Sequence, residues 1–246
     1  MARMTAVPRR PTFARGFTLT EMAVVLVIVA LLIAGLVIPL ATQQDIRARQ
    51  ETEKTLNDIR EALIGFAIAN GRLPRPSALA GGAPDGTERA ACATDADCHG
   101  FLPWAVLGMP RQDGWGKFIR YSVTPAFANA GFTLTTVANR TVQTRDGGGA
   151  AVFLAGQAAC NTANQCVPAV IFSQGKLNWG RNDGGDIPDG SATNADEDVN
   201  DAGPTNYFSR LPVIDTAAAG GEFDDVAIWL PTAILANRMI SAGRLP

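Results

Sequence analysis

The chain has 246 residues, 47% of them hydrophobic and 18% charged, with a formal net charge of −2. That length allows one or two domains with a sizeable core, and the absence of a basic patch interleaved with aromatics argues against a nucleic-acid surface. The charge is unevenly placed. Arg3, Arg9, Arg10 and Arg15 fall in the first sixteen residues without an acid, which leaves 17 basic against 23 acidic residues, or −6, in the rest.

In chain order, residues 1–16 read as a basic leader and 17–41 as an apolar segment. Met22 to Ala41 carries no charge. Twenty helical residues cover about 30 Å, the thickness of a bilayer's hydrocarbon core. The leading arginines predict a single-pass inner-membrane protein with a cytoplasmic N-terminus and a periplasmic C-terminal domain. A secretory signal fits poorly, because the run is long and no A-x-A-like site closes it promptly.

From Thr42 the pattern becomes amphipathic. Leu56, Ile59, Leu63 and Phe66 step by three or four residues, the stripe of a helix resting on a core. Gly71, Pro74 and Pro76 stop it. The predicted helix covers 17–70, with an exported amphipathic half at 42–70. Pro39 cannot donate to the carbonyl of Gly35 and crowds it, so Gly35 and Pro39 mark a kink or an unwinding segment.

Residues 71–246 read as a globular α+β domain. Strands are predicted at 118–123, 132–137, 151–154, 169–172 and 226–230, and a last helix at 232–241 with Ile234, Leu235, Met239 and Ile240 as its apolar face. A small antiparallel sheet laid against the exported half of the helix accounts for these runs. The stretch between Gly175 and Phe223 is poor in apolar periodicity and reads as a long loop.

Cys92 and Cys98 have five residues between them, as do Cys160 and Cys166. In an oxidising compartment these read as two local disulfides. Zinc is disfavoured by the spacing and by the presence of a single histidine, His99.

Gly16-Phe17-Thr18-Leu19-Thr20-Glu21-Met22, followed by the uncharged run, resembles the processing signature of type IV pilins and type II secretion pseudopilins. The close likeness covers residues 10–45. Residues 112–123, QDGWGKFIRYSV, resemble the D-x-W-G strand region of pseudopilins, and residues 172–201, FSQGK…GRNDGGD…DEDVND, resemble their acidic, glycine-rich loop after a strand.

The resemblance implies a pilin-like fold, a long N-terminal helix whose second half packs on an antiparallel sheet. It implies cleavage between Gly16 and Phe17 by a prepilin peptidase, which then methylates the amine of Phe17. The implied partners are other pilin or pseudopilin subunits, that peptidase and an inner-membrane assembly platform. Pro39 lies one residue later than the proline usual in these helices.

Glu21 then has a role. A carboxylate in apolar surroundings costs about 2.5–3.5 kcal/mol on insertion scales. Buried between stacked helices, it needs a partner, and the cleaved amine of Phe17 on an adjacent subunit supplies one, fixing register. The simpler reading of Glu21 is a carboxylate favoured by the dipole at a helix start. Phe17 is also suited to an interfacial anchor.

Asp183, Asp186, Asp189, Asp196, Glu197, Asp198 and Asp201 crowd into nineteen residues without a basic neighbour. Such oxygen-rich loops suit Ca²⁺. Asp183, Asp186, Asp196, Asp198 and Asn200 are the candidate ligands, and a solvated acidic loop is the plain alternative. Asp224 and Asp225 either join such a site or end a turn. No nucleophile elbow, zinc-protease motif or Walker loop occurs, so the chain reads as a non-enzyme needing no cofactor. The expected function is a filament subunit, a minor pilin by its length. The alternatives are a type II secretion pseudopilin and a calcium-dependent adhesin or ligand-binding module on a pilin stem.

Overall fold

The computed structural model describes residues 16–246, and of residues 34–41 the backbone alone. Helix α1 covers Leu19–Asn70. It begins two residues after the predicted start and ends as predicted: Gly71 takes a left-handed conformation (φ 73°) and its N–H bonds the Ala67 carbonyl at 2.7 Å. A glycine there adopts the left-handed conformation without the strain a side chain would add. The chain divides into two compact units, residues 1–45 and 46–246.

The expectation of a single-pass inner-membrane protein is overturned. Among the described residues, no helix is long and apolar enough to cross a membrane. Residues 1–15, with the predicted leader, lie outside the described residues, as do the side chains of Gly35 and Pro39; the helical backbone of α1 runs unbroken across Gly35 and Pro39, without the expected unwinding.

The expected pilin-like fold with one small antiparallel sheet is also corrected. The strands form several small sheets. Strands β1 (Ser77–Ala80) and β2 (Ala83–Glu88) pair as a hairpin. A four-stranded antiparallel sheet has the order β11-β7-β4-β3. It is built from β3 (His99–Phe101), β4 (Arg120–Val123), β7 (Ala169–Ser173) and β11 (Val226–Leu230). A three-stranded sheet runs β10-β5-β6, from β5 (Thr141–Arg145), β6 (Ala151–Ala155) and β10 (Asn206–Phe208). Here β10 pairs with β5 in parallel. Strands β8 (Gly180–Asn182) and β9 (Gly185–Ile187) form a second hairpin. Short helices lie between: α2 (Trp104–Leu107), α3 (Pro125–Ala128), α4 (Ala195–Ala202) and the terminal α5 (Thr232–Ser241).

Alternation along β7 explains the layering. Ala169 and Ile171 enter one core with Leu56, Ile59, Leu63 and Ala67 of α1 and Leu235 and Met239 of α5. Val170 and Phe172 enter a second core with Val142 of β5 and Tyr207 of β10. Because successive strand residues face opposite sides, a strand covered on both faces reads as a continuous apolar run, and all five residues of β7 are buried. The α1 stripe is wider than predicted. Ile64 and Ala67 are buried, while Phe66 is only half-buried beneath the Arg72 guanidinium.

The predicted strand at 132–137 is absent. That segment is a turn in which the Thr136 hydroxyl accepts from the Thr133 N–H at 2.9 Å. Hydroxyls bonding their own backbone compete with strand ladders. Both disulfides form, Cys92–Cys98 and Cys160–Cys166. They are consistent with folding in an oxidising compartment.

Candidate functional site

The start of α1 is a capping box. Thr18 precedes the first helical residue; its hydroxyl accepts the Glu21 N–H at 3.2 Å, and Glu21 Oε2 accepts the Thr18 N–H at 2.8 Å. Thr18 Oγ1 also donates to Glu21 Oε2 at 2.9 Å. The first orphan donors of the helix are thereby satisfied by the T-x-x-E pattern, a local signal that the sequence reading passed over. The Thr18 backbone bond, then its hydroxyl, hold the Glu21 carboxyl below the usual range. Oε1 makes no hydrogen bond among the described residues. Phe17 is 76% exposed, and nothing lies near a side chain that might replace the hydrogen of Gly16.

The predicted calcium ligands do not converge on one point. Asp183 pairs with Arg111 at 2.9 Å and Asp186 with Arg181 at 2.6 Å. Asp196 is buried between Arg145 and Arg210. Asp198 accepts from the Trp179 indole at 2.9 Å. Asn200 is a buried clamp: its Oδ1 accepts the Phe208 N–H and its Nδ2 donates to Asp225 Oδ2 at 2.7 Å. Folding brings Arg111, Arg145 and Arg210 to Asp183 and Asp196, while Arg181 is a local partner of Asp186.

A different acidic group does come together. Glu197, on α4, meets Asp224 and Asp225, which lead into β11, with one oxygen of each within 4.8 Å of the others. Glu197 Oε1 accepts the Asp224 N–H at 2.7 Å, and Oε2 accepts from Asn178 and Asn194, each at 3.1 Å. Asn178 holds its place in a left-handed conformation (φ 41°) that asparagine tolerates. Asp224 Oδ2 accepts the Lys176 and Leu177 N–H groups, both at 2.8 Å, while its Oδ1 is buried without a hydrogen bond. The Lys117 ammonium donates to the carbonyls of Gln174, Leu177 and Asn178, and its charge acts on all three carboxylates.

Burial pushes all three acids upward: Glu197, Asp224 and, furthest, Asp225, where the Glu197 charge adds to burial. Burying several carboxylates beside one lysine favours their neutral forms. The oxygens of Glu197, Asp224 and Asp225 have the hardness a Ca²⁺ ion prefers, and they are the group that could hold one.

The single histidine, His99, is half-buried and held by its neighbours. His99 Nδ1 shares a hydrogen bond with the Tyr207 hydroxyl at 2.8 Å, and Nε2 faces the Arg120 guanidinium at 2.6 Å. Burial and then the Arg120 charge lower its pKa to about 3, so it stays neutral at ordinary pH. Trp104 stacks on Phe118 with ring centroids 5.5 Å apart. The Asn139 amide is occupied by Thr124 and Asp95.

Compared with known proteins, the chain matches no family model, no curated protein and no solved structure.

Proposed function

We propose that the chain is a structural subunit of a type IV pilus-like filament, cut before Phe17 by a prepilin peptidase and assembled through the first half of α1. One observation carries the reading. Val24, Leu26, Val27, Ile28, Leu31 and Ile33 are all more than half exposed on a continuous helix. Soluble monomers rarely leave so large an apolar surface uncovered. Equivalent helices of neighbouring copies would cover it, and their packing would bring Glu21 into apolar surroundings. The free Oε1 of Glu21 is then available to the amine of a processed Phe17, a charge pair that rewards one stagger between subunits. The mature chain would have 230 residues after loss of the first sixteen, a length suited to a minor subunit.

The test is N-terminal sequencing of the protein from cells with and without the peptidase, alongside filament yield for Glu21→Ala. Chains beginning at N-methylated Phe17 only when the enzyme is present, and loss of filaments in the variant, are the expected results. Unprocessed chains in working filaments would refute the proposal.

The Glu197, Asp224 and Asp225 group favours a second reading, a calcium-dependent binding module. In that case millimolar Ca²⁺ raises the melting temperature, and Asp225→Asn removes the rise. A flat titration removes this reading and leaves the filament proposal standing.

A further inference from the structure

The outer face of the three-stranded sheet carries a cavity of about 560 Å³. Val142 and Tyr207 point from this sheet into the second core. The alternate residues therefore face the other way. Gln143 of β5 stands directly opposite Phe153 of β6, and Thr141 of β5 pairs with Asn206 of β10. Gln157 and Cys160 also line it, and Cys160 is held by its disulfide to Cys166.

The polar groups here are largely unspent. Thr141 Oγ1 donates to Asn206 Oδ1 at 2.8 Å, which leaves both Asn206 Nδ2 hydrogens without an acceptor among the described residues. Gln157 Nε2 donates to the Ala159 carbonyl at 2.8 Å, while its Oε1 has no donor there. No side-chain hydrogen bond engages the Gln143 amide among the described residues, so it keeps two donors and an acceptor. The Phe153 ring is 41% exposed and stacks on no other aromatic among the described residues.

No lining residue carries a charge. The cavity thus has nothing to neutralise an anion and no carboxylate for a cation. What it offers is paired amide donors and acceptors around a bare aromatic face. A ligand hydroxyl both donates and accepts, as an amide pair requires, and the C–H face of a pyranose suits an aromatic plane. A lining held at Cys160 by a disulfide lowers the ordering cost of binding.

We propose that this cavity binds a neutral saccharide, with Phe153 as the stacking platform and Gln143, Asn206 and Gln157 bonding its hydroxyls. The proposal is independent of the filament reading and of any cation. It predicts saturation transfer from the full-length protein, kept in a zwitterionic, sugar-free detergent, to maltotriose or triacetylchitotriose in NMR. Phe153→Ala and Gln143→Ala should each weaken that binding by at least about tenfold without moving the melting temperature by more than a degree or so. The inference is overturned if neither sugar receives transfer or if binding survives both substitutions. It is equally overturned if binding is lost only in company with the fold, or if an apolar peptide that pairs with β6 is the ligand that those side chains control.

Discussion

The first and second halves of α1 share one helical backbone and have opposite surroundings. Between Leu19 and Ile33 every side chain is exposed, apolar or not. Between Leu56 and Ala67, five side chains are buried at 3% exposure or less: Leu56, Ile59, Leu63, Ile64 and Ala67. The acids follow the same division. Glu21 is exposed and held as a carboxylate by its own cap, whereas Glu197, Asp224 and Asp225 are withdrawn from water and pushed toward their neutral forms. Apolar composition therefore does not say what a helix is for. The 46–246 unit supplies its own cover, whereas the described apolar side chains of the first half of α1 stay exposed.

The largest expected effect tests that division directly. Leu63→Ala removes a fully buried side chain and should cost about 2–5 kcal/mol in denaturant unfolding. Leu26→Ala, at 67% exposure, should change the stability of the isolated chain by less than about 0.5 kcal/mol while reducing assembly. Equal costs at the two positions would erase the contrast.

Replacing Cys92 and Cys98 together by alanine opens a short closed loop, and the chain-entropy argument puts the loss at roughly 2 kcal/mol. Thermal melting with and without reductant checks it, and the reduced wild type should approach the variant only if the second disulfide contributes little.

The buried acids give a smaller, pH-dependent effect. A carboxyl whose folded pKa lies above its unfolded value contributes stability that is fully present below about pH 4 and lost as pH rises through the folded pKa. Asp225 is such a group. Asp225→Asn keeps an oxygen for the Asn200 amide and removes the ionisation. At pH 8 it should be more stable than the wild type, and the difference should close toward pH 4. A gain that is constant with pH would show that ionisation at Asp225 is not its source.

The smallest effect is at the helix start. Thr18→Ala removes the hydroxyl of the capping box, so amide hydrogen exchange should speed up over the first turn of α1 and stay unchanged at Leu56 to Ala67.

Several elements were legible in the sequence because their signals are local. The α1 terminus at Gly71, the α5 limits at Thr232–Ser241, the runs that became β4, β6, β7 and β11, and both cysteine pairs could all be read from spacing and turn residues. Helix α4 could not. Its sequence ADEDVNDA looks like a solvated loop, yet Asp196, Glu197 and Asn200 are buried, because Arg145, Asn178 and Asp225 arrive from elsewhere to pair with them.

By itself the sequence determined where the chain turns, which residues carry apolar stripes and which cysteines are near enough to join, since each depends on neighbours within a few positions. Only the tertiary structure decided which acids are paired with arginines, which three meet beside Lys117, and which polar side chains face the cavity beside Phe153. Those outcomes follow from contacts between residues tens of positions apart, where partner and dielectric surroundings, rather than residue type, set the charge state and the chemistry.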